Sequence, residues 1–431
     1  MSRHSISTYL TPDPAPGMWD LIILGAGCTG LSLVNELLDQ QPTAGPSVLL
    51  LEARTEHLQD RTWCYWDTMP HRFEHVASHR WNRWSVRHAG EEVRCHGSFS
   101  YHYLRSEDFY QAALKPLQQA SRVSLRMGEP VVRLEETADA LNVQTLTGSF
   151  SGRRVIDTRP APPPRSSPAH VQWFQHFAGW HVQTVEDCFD ESCVTLMDFD
   201  AGQRLAQRRQ GGAGDGSEKR LPGVPFLYVL PFSCKQALVE VTWFGPEPFS
   251  PDIYQAQLQE YLDVLTGESG RFEILEQESG VLPMFTEPPC MQPSPRLIRL
   301  GLGGGAARPS TGYAFLAIQR QARLMARYLL QNQWGTPPAY YSPGSRWLDH
   351  TFLHVLQATP PHAPRLFFQM FQQSAPDALV RFLSDTGSLR DLWRVIHHLP
   401  LPTFLKQGTH SAQQILRETW GEPSLRKEPS C

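Results

Sequence analysis

The ten residues from Leu21 to Gly30, Leu-Ile-Ile-Leu-Gly-Ala-Gly-Cys-Thr-Gly, constrain this chain more than any other stretch. Four apolar residues in a row, Leu21 to Leu24, read as a short buried strand. A Gly-x-Gly-x-x-Gly turn follows at Gly25, Gly27 and Gly30, and apolar residues at helical spacing continue from Leu31 to Leu38. A strand, a glycine turn and a helix in that order hold a dinucleotide pyrophosphate. Gly25 permits the tight turn, Gly27 after Ala26 lets the backbone approach the phosphates, and Gly30 lets the helix pack on the strand. The helix N-terminus offers unpaired N–H groups and a partial positive charge to the anion. A second apolar run, Val48 to Leu51, ends in Glu52, about 22 residues after Gly30 and near the spacing of a ribose-binding carboxylate. Together these make a dinucleotide-binding β-α-β unit; the alternative is a glycine turn in another α/β fold.

The chain has 431 residues, enough for a sizeable core and two or three subdomains. A net charge of −4 gives no bulk attraction to nucleic acid. Its 36 prolines and 31 glycines favour loops over long bundles. The eight cysteines contain no Cys-x-x-Cys pair, so no zinc or other metal site is expected, and they read as reduced thiols of a cytoplasmic protein. Residues 1–17 are polar and proline-broken and read as a disordered lead-in. No apolar run reaches the ~18 residues that a membrane span needs.

After Glu52, the run Asp60-Arg61-Thr62-Trp63-Cys64-Tyr65-Trp66 sets three aromatic rings beside an arginine. It is either aromatic core or the segment that passes over a bound flavin or nicotinamide. Arg105 precedes a helix and is either a pyrophosphate ligand or a surface ion-pair partner. Val123–Leu125, Val131–Leu134, Leu141–Leu146 and Val155–Asp157 read as a β-meander. The prolines between 160 and 168 read as a linker, which puts a first nucleotide-binding part at 18–160 and a β-rich substrate domain at 161–290. Strands are expected at Gly179–Val185, Cys193–Asp198, Pro225–Phe232 and Ala237–Phe244, a mobile loop at 203–220, and a helix at Asp252–Leu265.

At Leu297 to Gly305 a strand again runs into glycines, with Pro309, Thr311, Gly312 and Tyr313 before a helix to Leu330. FAD proteins of the glutathione-reductase type return to their first domain in this way, so 291–335 is read as the return segment. The Gly-Asp pair that many of them carry here is absent. The fold expected is α/β: an FAD-binding Rossmann-like domain, an inserted β-rich domain and a C-terminal helical cap over 336–410, with 411–431 a tail. The dense aromatics of the cap serve either as its core or as a membrane-facing surface, and the two roles are compatible.

Five segments in this order resemble the bacterial, flavoprotein-type lycopene β-cyclases. They are the dinucleotide turn, the run 60–66, Val155-Ile156-Asp157-Thr158-Arg159-Pro160, the pair Gln175–Trp180 with Thr195–Phe199, and Arg308-Pro309-Ser310-Thr311-Gly312-Tyr313-Ala314-Phe315. The tail Phe367–Leu405 is also similar, and the likeness spans most of 19–408. The resemblance implies reduced FAD as cofactor, held through Gly25, Ala26, Gly27, Gly30, Glu52, Arg61, Trp63, Arg105, Asp157, Gly303, Gly304, Pro309 and Gly312. NAD(P)H then serves only to reduce the flavin. The family's acid motif corresponds to Leu238-Val239-Glu240-Val241-Thr242, in which Glu240 is kept and the second acid is replaced by Val241.

Glu240 is the only charged residue between Gln236 and Gly245 and shares a strand face with Leu238, Thr242 and Phe244. Such neighbours desolvate a carboxyl and keep it protonated at neutral pH. The alternative is an outward-facing glutamate on a half-exposed strand. The resemblance implies that Glu240 protonates a terminal alkene of lycopene or a related acyclic carotenoid, that the cation is captured by an internal double bond, and that a base removes a proton to leave a β-ionone ring. γ-Carotene and β-carotene are the products so implied, with no net electron transfer. A cation in a dry pocket needs a fixed negative partner, and at ~4 Å and an effective dielectric of ~20 one is worth about 4 kcal/mol, about a thousandfold in rate. Anionic reduced flavin fits that need, and Tyr228, Trp243 or Tyr65 could add cation–π stabilisation. A substrate dissolved in lipid implies peripheral contact with the inner face of the membrane through the cap. Two rivals use the same scaffold: an FAD-dependent monooxygenase or isoprenoid reductase, and a carotenoid- or flavin-binding protein without catalysis.

Overall fold

The structure, a computed structural model, describes residues 17–57, 61–161, 170–207, 221–267, 271–287, 289–336 and 341–398, with 404 and 408. The lead-in up to residue 16, Asp60, most of the proline linker, residues 208–220 of the expected loop and the tail 411–431 lie outside the described residues.

The chain opens with β1 (Trp19–Leu24), α1 (Cys28–Gln40) and β2 (Val48–Glu52). It leaves for β3 (Thr62–Trp66), β4 (His79–His88) and β5 (Glu91–Arg105), and returns through α2 (Ser106–Leu114) to β6 (Val123–Met127), β7 (Val131–Glu136), β8 (Leu141–Thr145) and β9 (Ser149–Asp157). Next come β10 (Gln172–Thr184), β11 (Val194–Asp198), α3 (Phe199–Gln207), β12 (Val224–Pro231), β13 (Gln236–Gly245), α4 (Pro251–Thr266) and β14 (Phe272–Phe285). The last part holds β15 (Leu297–Arg299), α5 (Phe315–Leu330), α6 (Pro343–Ala358), α7 (Ala363–Gln373), α8 (Pro376–Leu383) and α9 (Leu389–Ile396).

The first sheet runs β6-β2-β1-β9-β8-β7, with β15 pairing on β9. β1 lies parallel to both β2 and β9, with Leu21 opposite Val48 and Ile22 opposite Val155. Covered on both faces, β1 and β2 have no need of alternation, and Leu21–Leu24 and Val48–Leu51 are apolar and buried throughout. Leu31, Val34 and Leu37 of α1 join Phe315, Ile318, Ala322 and Met325 of α5 in the core over this sheet. The expected four-strand meander holds only for β7–β9. β6 is instead parallel to β2, Val48 opposite Val123, because α2 carries the chain back in a helical crossover rather than a hairpin.

The second sheet has the order β14-β10-β13-β12-β11-β4-β5-β3. Sheet membership therefore does not follow the boundaries at 160 and 161, since β3–β5 precede the linker and complete the β-rich layer. No proline- or glycine-rich stretch marks the crossing into that layer. The alternation of β13 divides the layers: Val239, Val241 and Trp243 pack on Leu258 and Leu262 of α4. Leu238 and Phe244 face Phe367, Phe371 and Leu379 of the cap. Residues 203–207, expected in the loop, close α3 instead, where Leu205 and Ala206 are buried against α4.

The helix ends follow their sequence. α4 starts with Pro251 in its first turn and stops at Gly267, which has φ +73°. Ser342 accepts a hydrogen bond from Ser345 N at 3.1 Å to open α6. Ser388 and Asp391 form a capping box on α9. The aromatic cap residues are largely buried against the second sheet, so they serve as core. Among the described residues no helix is long and apolar enough to cross a membrane.

Candidate active site

The glycine turn has the geometry its sequence implies. Gly25 has φ +98°. A Cβ on Gly30 would lie 2.1 Å from the Gly25 carbonyl oxygen, whereas one on Gly27 would meet nothing within 4 Å. Gly27 thus leaves its side of the turn open, and α1 starts there without a side-chain cap, so its first N–H groups remain available to an anion. Glu52 accepts from Ala26 N at 2.8 Å and from Arg54 Nε at 3.0 Å. Burial pushes its carboxyl up, but the bonds and charge of Arg54 outweigh this and hold it below the ordinary range. Arg54 N and Nη2 take the remaining acceptor positions, so a ribose would have to exchange its hydroxyls for the arginine bonds.

The return segment closes on this turn. Gly301, which sequence reasoning passed over, has φ +68°, and a Cβ there would strike Thr29 Oγ1 at 2.3 Å. Gly303 backs onto the Arg159 carbonyl and Gly304 onto that of Arg299. Pro309 and Gly312, with φ +70°, lie in a tight turn in which Gly312 N donates to Arg308 O at 2.8 Å. Asp157 is paired with Arg159 at 2.8 Å. Arg61 is exposed, and its charge reaches Cys28 at the head of α1. Trp63 packs edge-on to Phe109 at 5.0 Å. Arg105 pairs with Glu276 at 3.4 Å and Glu107 at 3.6 Å, on the side of the second sheet rather than at the glycine turn.

A narrow cleft, partly open to solvent, lies between β3 and the start of α5, lined by Cys64, Tyr65, Trp66, Tyr313, Ala314 and Phe315 together with Tyr341 and Leu383. α5 also begins without a side-chain cap. Among the described residues, Tyr65 Oη and Trp66 Nε1, both buried there, find no hydrogen-bond partner. Two orphaned donors and a helix N-terminus suit a heteroaromatic ligand with carbonyl and ring-nitrogen acceptors and negative charge. With the open glycine turn, these residues fit a flavin dinucleotide.

Behind the cleft the second sheet curls until its far strands touch through side chains. Tyr101 and Tyr228 hydroxyls are 3.0 Å apart, Tyr103 Oη and His181 Nε2 are 3.3 Å apart, and Thr62 Oγ1 donates to Glu278 Oε1 at 3.0 Å. Inside the curl sits Glu240, 7% exposed, directly opposite Tyr228 on β12. Burial, then the charge of Glu278 and a hydrogen bond to it, push the Glu240 carboxyl well above its ordinary range. Cys64 and Tyr313 line the cleft and bond to Tyr228 and Tyr101, which links the cleft to the acid through four polar side chains. Trp243, expected to face a cation, points the other way and donates to Gln257 Oε1 at 3.3 Å, as strand alternation from Glu240 requires. Val241 likewise faces α4, so an acid there would not meet Glu240.

A family profile described as lycopene cyclase protein matches residues 20–407. The chain belongs to the lycopene cyclase family. No curated protein matches it. Among solved structures it is similar to a geranylgeranyl bacteriochlorophyll reductase-like protein of Thermoplasma acidophilum, with 10% identity, 93% of this chain and 98% of that chain covered, and a TM-score of 0.56. It is also similar to a Klebsiella pneumoniae HpxO variant complexed with FAD, with 15% identity, 89% and 100% coverage, and a TM-score of 0.53. These likenesses establish the Rossmann-like α/β fold for this family member.

Two charged residues beside the site were not singled out from the sequence. Glu278 lies on β14, whose acids fall on both faces and hide its alternation. Arg308 is buried and paired with Asp349 at 3.0 Å, which fastens the return turn to α6. Only their places in the fold reveal either role.

Proposed function

We propose that this family member is a lycopene β-cyclase, with Glu240 as the proton donor. The observation that carries this reading is a buried carboxyl, pushed well above its ordinary range, on the sheet face that adjoins the cleft at the head of α5. FAD is the cofactor so proposed, held at Gly25, Ala26, Gly27 and Gly30 with Glu52 and Arg61 beside it, and at Gly303, Gly304, Pro309 and Gly312 of the return segment. When bound and reduced, it supplies negative charge to a site in which a cation forms, with NAD(P)H as its reductant.

The proton leaves Glu240 Oε for the terminal alkene carbon of an acyclic carotenoid. The cation left on the neighbouring carbon is captured by an internal double bond, which closes a six-membered ring. A proton then leaves the ring carbon, so substrate and product are isomers. The walls of Tyr228, Tyr101 and Phe244 exclude water, which would otherwise trap the cation as an alcohol, and the Tyr228 ring contributes about 0.5–2 kcal/mol of cation–π attraction. Removing a general acid costs on the order of 10²–10⁴-fold in rate. Glu240→Gln is therefore expected to fold, retain flavin and lose cyclisation by that factor, measured anaerobically with lycopene and chemically reduced FAD. Wild-type turnover in that variant, or a product heavier or lighter than lycopene, would refute the reading.

Access to a lipid-borne substrate is proposed through α9. Leu389 is 85% and Trp393 69% exposed, one turn apart, with Arg390, Arg394 and His397 exposed beside them. An exposed tryptophan and leucine edged by cations suit the headgroup region of an anionic bilayer, at the inner face of the membrane.

A further inference from the structure

Glu240 does not stand alone. On β10, Gly179 is opposite Glu240 of β13 on one side and opposite Glu278 of β14 on the other. The two glutamates are thus two strand spacings apart, about 9.6 Å between backbones, and their side chains meet across the glycine. A Cβ on residue 179 would lie 2.6 Å from Glu240 Cγ and 3.3 Å from its Oε1. We propose that Glu240 and Glu278 hold one proton between them, with Glu278 the ionised positioning residue that keeps the proton on Glu240, and that residue 179 is glycine because any side chain would part them. This rests on the cyclase reading for its purpose, though not for its geometry.

The proton belongs to Glu240 for two reasons. Glu278 is the less buried of the two and so holds charge at lower cost. It also accepts the Thr62 hydroxyl, as a carboxylate does. Around the pair stand Cys64 on β3, Tyr228 on β12, His181 on β10, Tyr103 and Arg105 on β5 and Glu276 on β14. Burial keeps the Cys64 thiol and both phenols neutral and lowers His181 to about 4, so none of these four supplies a charge at neutral pH. Arg105 is engaged by Glu276 and Glu107. After burial, the charge of Glu278 and a hydrogen bond to it raise the Glu240 carboxyl.

On donation the O–H bond of Glu240 breaks, a C–H bond forms on the substrate, and two carboxylates are left side by side. Such a pair is a strong base, and the proton released by the closed ring restores it to one shared proton, with no other reactant needed. The family motif puts a second acid at the position of Val241, on the opposite face; here the companion comes from another strand.

The test is the pH dependence of kcat/KM in Glu278→Gln. A like charge at ~4–6 Å raises a carboxyl pKa by about 1–3 units, so its removal moves the alkaline limb down by about 1–3 pH units and leaves activity at low pH. Glu278→Asp keeps the charge and restores the limb. Infrared difference spectra of the full-length protein, wild type against Glu240→Gln, read the protonated Glu240 without substrate. Its carboxyl band should titrate at lower pH in Glu278→Gln. A band and an alkaline limb unmoved in Glu278→Gln would overturn the proposal while lycopene turnover stood. If lycopene is not converted at all, the cyclase reading fails and the band still decides the pair.

Discussion

Glu240 owes its chemistry to neighbours that do not touch it in sequence. Leu238 and Phe244 bring it to the inner face, Gly179 leaves room for it, and Glu278 is hydrogen-bonded to it. Gly179→Ala should therefore act on the acid rather than on the fold. Its φ is ordinary, and the crowding of one methyl costs about 1–3 kcal/mol of stability. Displacing the carboxyl should lower cyclisation by tenfold or more, and measurement of both quantities on one preparation checks this; an active, unperturbed variant would show that the glycine is dispensable. The face of Glu240 was legible because period-two alternation needs only the residue's own strand. Its partner was not, because Glu278 lies 38 positions away on an edge strand with acids on both faces, and such inward charges commonly guard edges. Trp243 was assigned to the site by residue type, and one step of alternation was enough to move it to the opposite layer.

Among the elements, α5 and the return turn followed the sequence closely, since glycines with positive φ and an apolar helix are local signals. The cap did not divide so simply. α7 and α8 pack their aromatic residues on the sheet, whereas α9 keeps Leu389 and Trp393 outside. Arg381 clamps Asp391 at 2.7 Å and holds its carboxylate well below the ordinary range, which ties α9 to α8. The double variant Leu389→Ser, Trp393→Ser should bind vesicles of anionic lipid at least tenfold more weakly, measured by co-sedimentation, and should turn over detergent-dispersed lycopene normally. Equal binding would move the membrane contact elsewhere on the molecule. Raised salt should weaken the wild-type contact, as the two arginines and His397 suggest.

For the whole molecule, one nucleotide-binding sheet and one curled sheet share the residues of β3: Trp63 and Tyr65 pack toward the first core, while Cys64 and Trp66 line the second. The same architecture would serve a reductase or a monooxygenase, and fold likeness does not separate them. Stoichiometry does. A cyclase with pre-reduced flavin should form many rings for each NAD(P)H oxidised under argon, whereas an oxidoreductase would consume one per product; a one-to-one ratio would exclude the cyclase. The two-sheet plan was half visible in advance, because linkers made of proline can be read and a chain that changes sheets after a short turn cannot.

The seam that β3 and β5 make with β14 joins Thr62 to Glu278 across 216 positions and Arg105 to Glu276 across 171. Contacts so distant along the chain form after the local ones, since loop closure opposes them until other structure has gathered the strands. The proposed proton donor is therefore completed late: on a nascent polypeptide that ends before β14, Glu240 has no Glu278 beside it, and nothing yet sets its proton apart from that of an ordinary glutamate.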